Sequence, residues 1–195
     1  MSIHSIPQPQ APQRFFLCPD KLFGLLNPYQ NEARNLVFVC VGTDRIIGDS
    51  LGPIVGSMLN QHISLQNRSS HSPAAEQTST APMLYVYGTL QHTVHARNLT
   101  EITGKIQKKH ANDIIIAIDA SLGSKDEIGS VFIRAGTLRP GAGVHKNLPQ
   151  LGDITITGIT GEQSRHPYLT LQTVRLSAVT QMAEHICSCI LSVCC

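Results

Sequence analysis

Residues 114–118 read IIIAI and contain no polar side chain. A strand with one wet face alternates apolar and polar residues, so a run without alternation predicts a strand covered on both faces. Such strands sit at the centre of parallel sheets, with helices packed above and below. Two further runs fit that frame, LVFVCV at 36–41 and MLYVY at 83–87. After the first, Ile54, Val55, Met58 and Leu59 make one apolar stripe on a helix, with Pro53 in its first turn, where the missing N–H costs nothing. A second helix is expected over about 94–109, so the chain reads β-α-β-α-β up to the isoleucines. Beyond them come a strand at 128–134, a Gly/Pro-rich excursion at 135–152, and an alternating strand at 154–159 expected to have one face exposed. A closing helix over about 170–191 would place Leu171, Val174, Val179, Met182 and Ile186 on its core face. The class is α/β, with parallel strands in its first half and no internal repeat.

At 195 residues the chain suits one domain with a sizeable core. Residues 1–34 read as an extension. Its first 14 residues, rich in Pro, Gln and Ser, are expected to be disordered, and a short helix starts near Pro19-Asp20. Residues 35–195 form the domain, interrupted by a polar stretch at 64–82 that reads as a flexible loop. Fifteen basic residues face 13 acidic ones, and the nearest basic cluster is the short Lys105–His110 stretch. No direct nucleic-acid partner is therefore expected. No uninterrupted apolar stretch approaches the roughly 20 residues that cross a bilayer. The N-terminus lacks the basic-then-apolar order of a secretory signal, so a cytoplasmic protein with no membrane role is expected. Of six cysteines, Cys40 lies inside a strand and reads as a small buried hydrophobe. Cys187, Cys189, Cys194 and Cys195 crowd the last helix, either as apolar filling or as a soft-metal patch.

Ligands of open α/β sheets gather outside the carboxyl ends of the parallel strands. The first strand is followed there by Thr43, Asp44, Arg45 and Asp49, the second by Gly88, Thr89 and His92, and the third by Asp119 and Ser121. Two strands thus bring one carboxylate each to a common rim. Singly, Asp49 reads as a helix cap and Asp119 as a turn residue. Together they make a pair that would hold one proton at neutral pH, activate water for attack on a carbonyl and protonate the leaving amine. Gly48 and Gly52 flank Asp49, and their small size would let a substrate backbone come close.

Other chemistries fit less well. The glycines at 42, 48 and 52 match neither dinucleotide nor phosphate-loop spacing, and no lysine follows Gly48. Ser50 lies outside any GxSxG, and Ser121 would need His92 or His145 as a base. A second cluster, RPGAGVHKNLPQLGD at 139–153, could turn Arg139, His145, Lys146 and Asp153 toward one mouth as binding groups. Gln172 and Arg175 either reach back to the rim or face solvent. No cofactor is required. A divalent metal is the alternative, with Asp49, Asp119, His92 and His145 as its ligands.

Five blocks, FVCVGTDRIIGDSLGPIVG, VYGTLQHTVHARNL, IIAIDASLG, GTLRPGAGVHKNLPQLGDITITGI and LQTVRL, resemble in order the YyaC-like (DUF1256) sporulation proteins of spore-forming Firmicutes. That family is similar to the germination protease, which degrades the small acid-soluble proteins of spores, and to the hydrogenase maturation endopeptidases. The resemblance implies a three-layer α/β/α fold with a twisted, mixed, partly parallel sheet. It implies catalytic aspartates at Asp49, in the DSLGP stretch, and at Asp119, in the strand-end Asp-Ala. Thr43, Asp44, Arg45, Gly88, Thr89, His145 and Lys146 are the substrate-binding candidates. The maturation enzymes grip nickel with acidic residues near the same strand ends. The reading is an aspartate-dependent endopeptidase acting on a spore protein or peptide in the sporulating cell or spore. The alternatives are a non-catalytic regulator on the same fold or a metal-binding maturation-type peptidase. The oligomeric state is not legible.

Overall fold

The computed structural model describes residues 19–28, 34–69, 82–139 and 149–194. In chain order the elements are α1 (Pro19–Leu26), β1 (Leu36–Cys40), α2 (Leu51–Ser69), β2 (Leu84–Tyr87), α3 (Leu99–Lys109), β3 (Ile114–Gly123), β4 (Val131–Ala135), β5 (Ile154–Glu162), α4 (Pro167–Thr173) and α5 (Leu176–Cys194). A 3₁₀ turn at Ile47–Asp49 leads into α2.

The five strands lie in the order β2-β1-β3-β5-β4. β2, β1, β3 and β5 are parallel, and β4 closes one edge antiparallel to β5. Alternate residues of β1 serve opposite faces. Leu36, Phe38 and Cys40 meet α1, α2 and α5, whereas Val37 and Val39 meet Val94, Leu99 and Ile106 on the α3 side. The result is a three-layer α/β/α sandwich, with the isoleucine strand at its centre as its composition requires.

Three expectations need correction. Residues 64–69 continue α2 and are not loop. β5 is buried along almost its whole length, because it lies between β3 and β4 and is not at an edge. The closing helix is broken at Val174-Arg175 into α4 and α5, with Val174 extended between them. Leu171 and Val174 are accordingly only half-buried, while Val179, Met182 and Ile186 are core. Apart from these, α5 is among the described residues long and apolar enough, by length and composition, to cross a membrane, although Gln181, Glu184 and His185 interrupt its apolar run. Its apolar side, from Val179 to Ile190, instead packs into the core against the sheet. Cys187 and Cys189 belong to that filling.

The amino ends of the strands are tied by a polar relay that the sequence did not announce. His110 is 3% exposed. One ring nitrogen lies 2.7 Å from an Asp113 oxygen and the other 2.9 Å from the Tyr87 hydroxyl. Asp113 also accepts from the Asn35 backbone and side chain, and the Asn35 side-chain oxygen accepts from the Met83 N–H. Residues next to the starts of β1, β2 and β3 thus share one hydrogen-bonded cluster, which sets the strands' relative stagger. Asp153 does the same for β5, accepting the Ile115 N–H at 2.9 Å.

Candidate active site at the carboxyl rim

β1 stops one strand-residue before the site. Its last pair is Cys40 with Ile118, and the Val41 N–H still bonds the Ile118 carbonyl at 2.7 Å. β3 runs on past that point and keeps β5 as its neighbour, Asp119 standing opposite Thr157. Asp119 therefore lies inside a strand, at the step where the sheet loses β1. The loop at 42–49 crosses that step.

Gly42 turns the loop with φ +141, a conformation that costs a side chain strain. A Cβ there would also overlap the Asp49 carbonyl. The Thr43 N–H then points at Asp49 twice, at 3.2 Å to its carbonyl and 3.0 Å to its carboxylate. The Asp49 carboxylate thus bonds back into the loop, which differs from the helix-cap reading. Ser50 is buried and its hydroxyl donates to the Ile47 carbonyl at 2.6 Å, so it is a structural residue.

The two carboxyl groups influence each other. Burial lifts Asp49 to about 6, against the opposing pull of the Thr43 N–H. Asp119 is raised well above the usual carboxylate range, first by burial, then by the charge of Asp49, with the Ala120 N–H at 2.9 Å pulling the other way. Both residues keep part of their surface exposed. The charge of Asp49 thus favours keeping the proton on Asp119, as in a coupled carboxyl pair.

The flanking glycines serve a different end from the one expected. A Cβ on Gly48 would meet Leu171 at 2.8–3.0 Å, and a Cβ on Gly52 would overlap the Val41 carbonyl. Chain packs on chain at both positions, which leaves no room for a substrate backbone. Leu171 and the short helix α4 form one wall of the site, and only the three-dimensional fold reveals them. Thr157 is also new; its register with Asp119 puts a hydroxyl residue on the same face of the sheet.

Thr43 is half-buried beside Asp49, while Asp44 and Arg45 sit exposed at the outer turn. Gly88, Thr89 and His92 line a cleft of about 450 Å³ on the far side of β2, and neither aspartate is part of its lining. Arg139 lies with Arg134 around a separate cleft of about 400 Å³. That cleft is beside the end of β4, at the opposite end of the sheet from the aspartates. With Asp153 holding the Ile115 N–H at that same end, neither Arg139 nor Asp153 faces the aspartate rim. His145 and Lys146 lie outside the described residues. Ser121 donates weakly to the Leu122 carbonyl, 3.3 Å away, and His92 stands in the separate cleft. Gln172 and Arg175 are exposed. Burial, with Cys187 nearby, drives the Cys40 thiol far up, so it supplies no thiolate. Among the described residues no three His, Cys, Asp or Glu side chains converge as a metal-ligand set. The groups at the rim are two partly covered carboxyls, each with its proton affinity raised by burial.

Comparison with known proteins places this geometry in context. A family model described as "Protein of unknown function (DUF1256)" matches residues 18–68 and 75–189. The "Uncharacterized protein YyaC" of Bacillus subtilis (strain 168) is 43% identical over 149 residues, which are 76% of this chain and 64% of that protein. The match thus spans slightly under two thirds of the relative's length. Among solved structures, the NiFe hydrogenase maturation protease HycI from Thermococcus kodakarensis KOD1 aligns with a TM-score of 0.52 at 18% identity, over 89% of this chain and 97% of that one. That last likeness is one of fold.

Proposed function

The chain belongs to the DUF1256 family, and from the chemistry of the rim we propose that it is an aspartate-dependent peptidase acting on a spore protein. The observation that carries this reading is the placement of two carboxyl groups at the step where the sheet loses β1, Asp119 inside β3 opposite Thr157 and Asp49 held by the Thr43 N–H, close enough for the charge of Asp49 to raise Asp119. Above pH 6 Asp49 is ionised and can take a proton from water as its oxygen attacks the scissile carbonyl. Asp119, whose proton is held by burial and by the charge of Asp49, can donate it to the carbonyl oxygen; as the resulting gem-diol collapses, Asp49 passes the proton it took from water to the leaving amine and a diol hydroxyl returns a proton to Asp119. A carboxylate beside a carboxylic acid is what general acid–base hydrolysis needs. The protease-like fold supports the reading at the level of architecture. The substrate class rests on the resemblance to sporulation proteins.

The test is co-incubation of the purified chain with protein extracted from spores, read as new fragments by mass spectrometry. Cleavage by the parent and its loss in both Asp49→Asn and Asp119→Asn are expected. Fragments that persist in both variants, or a parent that binds a spore protein and never cuts it, would remove the peptidase reading in favour of a regulator. Cleavage that survives the replacements and stops with a chelator would point to a metal held elsewhere.

A further inference from the structure

We infer that Thr157 is a third working group of the aspartate site, its hydroxyl donating a hydrogen bond to the scissile carbonyl oxygen and holding it against the acid, Asp119. This rests on the peptidase reading and extends it to a new residue. In the parallel pair of β3 and β5, Asp119 stands opposite Thr157, and in the antiparallel pair of β5 and β4, Thr157 stands opposite Phe132. Paired residues of neighbouring strands turn their side chains to the same face. Ile116, Ile118, Ile154, Ile156, Val131 and Ile133 serve the face under α2 and α5, so the alternate residues Asp119, Thr157 and Phe132 form one row on the other face.

That face opens along the row. At its closed end Val41, whose N–H bonds the Ile118 carbonyl, is 5% exposed beside Val94. Asp119 and Thr157 are half-buried, and Phe132 is 44% exposed. Thr157 is thus covered enough to be fixed and open enough to be reached. Its hydroxyl is also uncommitted. Thr155, two residues earlier on the same face, donates to the Gly136 carbonyl at 2.7 Å. Ser50 and Ser121 donate to the Ile47 and Leu122 carbonyls. Among the described residues the Thr157 hydroxyl makes no hydrogen bond within the protein.

Neighbouring strands run about 4.8 Å apart, so an oxygen lying between two paired side chains can take a hydrogen bond of about 2.8 Å from each. Asp119 supplies the proton that moves. The hydroxyl supplies a second donor, whose bond strengthens as negative charge develops on that oxygen. The backbone donors nearest the carboxyls are already engaged, the Ala120 N–H on Asp119 at 2.9 Å and the Thr43 N–H on Asp49 at 3.0 Å. Thr157 does not act as a nucleophile. A threonine hydroxyl needs a base to attack, and the carboxyl beside it is the one that keeps its proton.

The experiment compares Thr157→Val and Thr157→Ser with the parent, using a synthetic peptide that spans the fastest cleavage site found in the spore extract. Thr157→Val keeps the shape of the side chain and removes the donor. Its kcat is expected to fall about 10²-fold with KM little changed, the pattern of a donor that acts mainly on developing charge. Thr157→Ser, which keeps the hydroxyl, is expected to recover most of that loss. The rise in rate through pH about 6 should persist in both, because Asp49 is untouched. A displaced site would move it. Urea titration checks that both variants are folded. A Thr157→Val variant that cuts at the parent's rate, or a Thr157→Ser variant as slow as it, overturns the inference and leaves the two aspartates standing. A covalent peptide adduct on Thr157 in the intact mass also overturns it, by making the residue a nucleophile. A parent that cuts nothing removes the peptidase reading, and the role of Thr157 with it.

Discussion

Replacing Asp119 with Asn is expected to give a protein that unfolds at higher urea concentration than the parent at pH 8 and whose cleavage rate falls by about 10²- to 10⁴-fold, the usual contribution of one general acid. The two effects have one cause. The pocket that lifts Asp119 well above the usual carboxylate range penalises its charge, and an amide removes that penalty together with the transferable proton. The sign follows from linkage. A carboxyl that holds its proton more tightly when folded binds more protons in the native state than in the unfolded one, so stability falls as pH rises past the ordinary carboxyl value. For Asp49, raised from 3.8 to about 6, that loss develops between those two values. It amounts to about 3 kcal/mol at most. For Asp119 it begins in the same range and extends to higher pH. Both Asn variants should therefore gain most over the parent at pH 8, with the gap closing toward pH 4. Urea titrations at several pH values measure this directly. A gap that is independent of pH, or variants weaker than the parent at pH 8, would mean the carboxylates are not in a desolvated site. Activity of the parent should rise through pH about 6 as Asp49 ionises.

The second large effect concerns Gly56 in the middle of α2. Alanine in an exposed helix interior stabilises by about 1 kcal/mol relative to glycine. Here the expected sign is opposite. A methyl on Gly56 would overlap the Gly88 carbonyl, and one on Gly88, at φ +90, would overlap the Cys40 carbonyl. Helix, β2 end and β1 end are stacked backbone on backbone. Gly56→Ala must push α2 off the sheet, at about 3 kcal/mol or more. Gly104 in α3 is the internal control, because nothing lies within 4 Å of where its Cβ would be. Gly104→Ala should stabilise by about 1 kcal/mol. Equal shifts in the two melting curves would contradict the stacking.

The same contacts explain what the glycine spacing of the 42–56 stretch means. It resembles a ligand loop in sequence because both kinds of loop need backbone to approach closely. Which partner approaches is invisible in a one-dimensional pattern. The fold answers with Val41, Gly88 and Leu171, all parts of the chain itself.

Local information settled more than this. Ile114–Ile118 had to be a strand covered on both faces, because five adjacent apolar side chains leave no wet side. Val55 and Leu59 had to share a buried helix face because their spacing is helical. Asp49 and Asp119 were legible as a pair, because each follows an apolar run whose carboxyl end must open at one rim. Tertiary structure alone decided the rest. It buried β5 by giving it neighbours on both sides, and it broke the last helix so that Leu171 could cover Gly48. It also separated His92 from the aspartates by a strand's width and joined Tyr87, His110 and Asp113 into a relay. Periodicity reports which face of an element is apolar. Strand order, register and the points where backbones touch depend on residues far apart in the chain, and these determine the proton affinities at the rim.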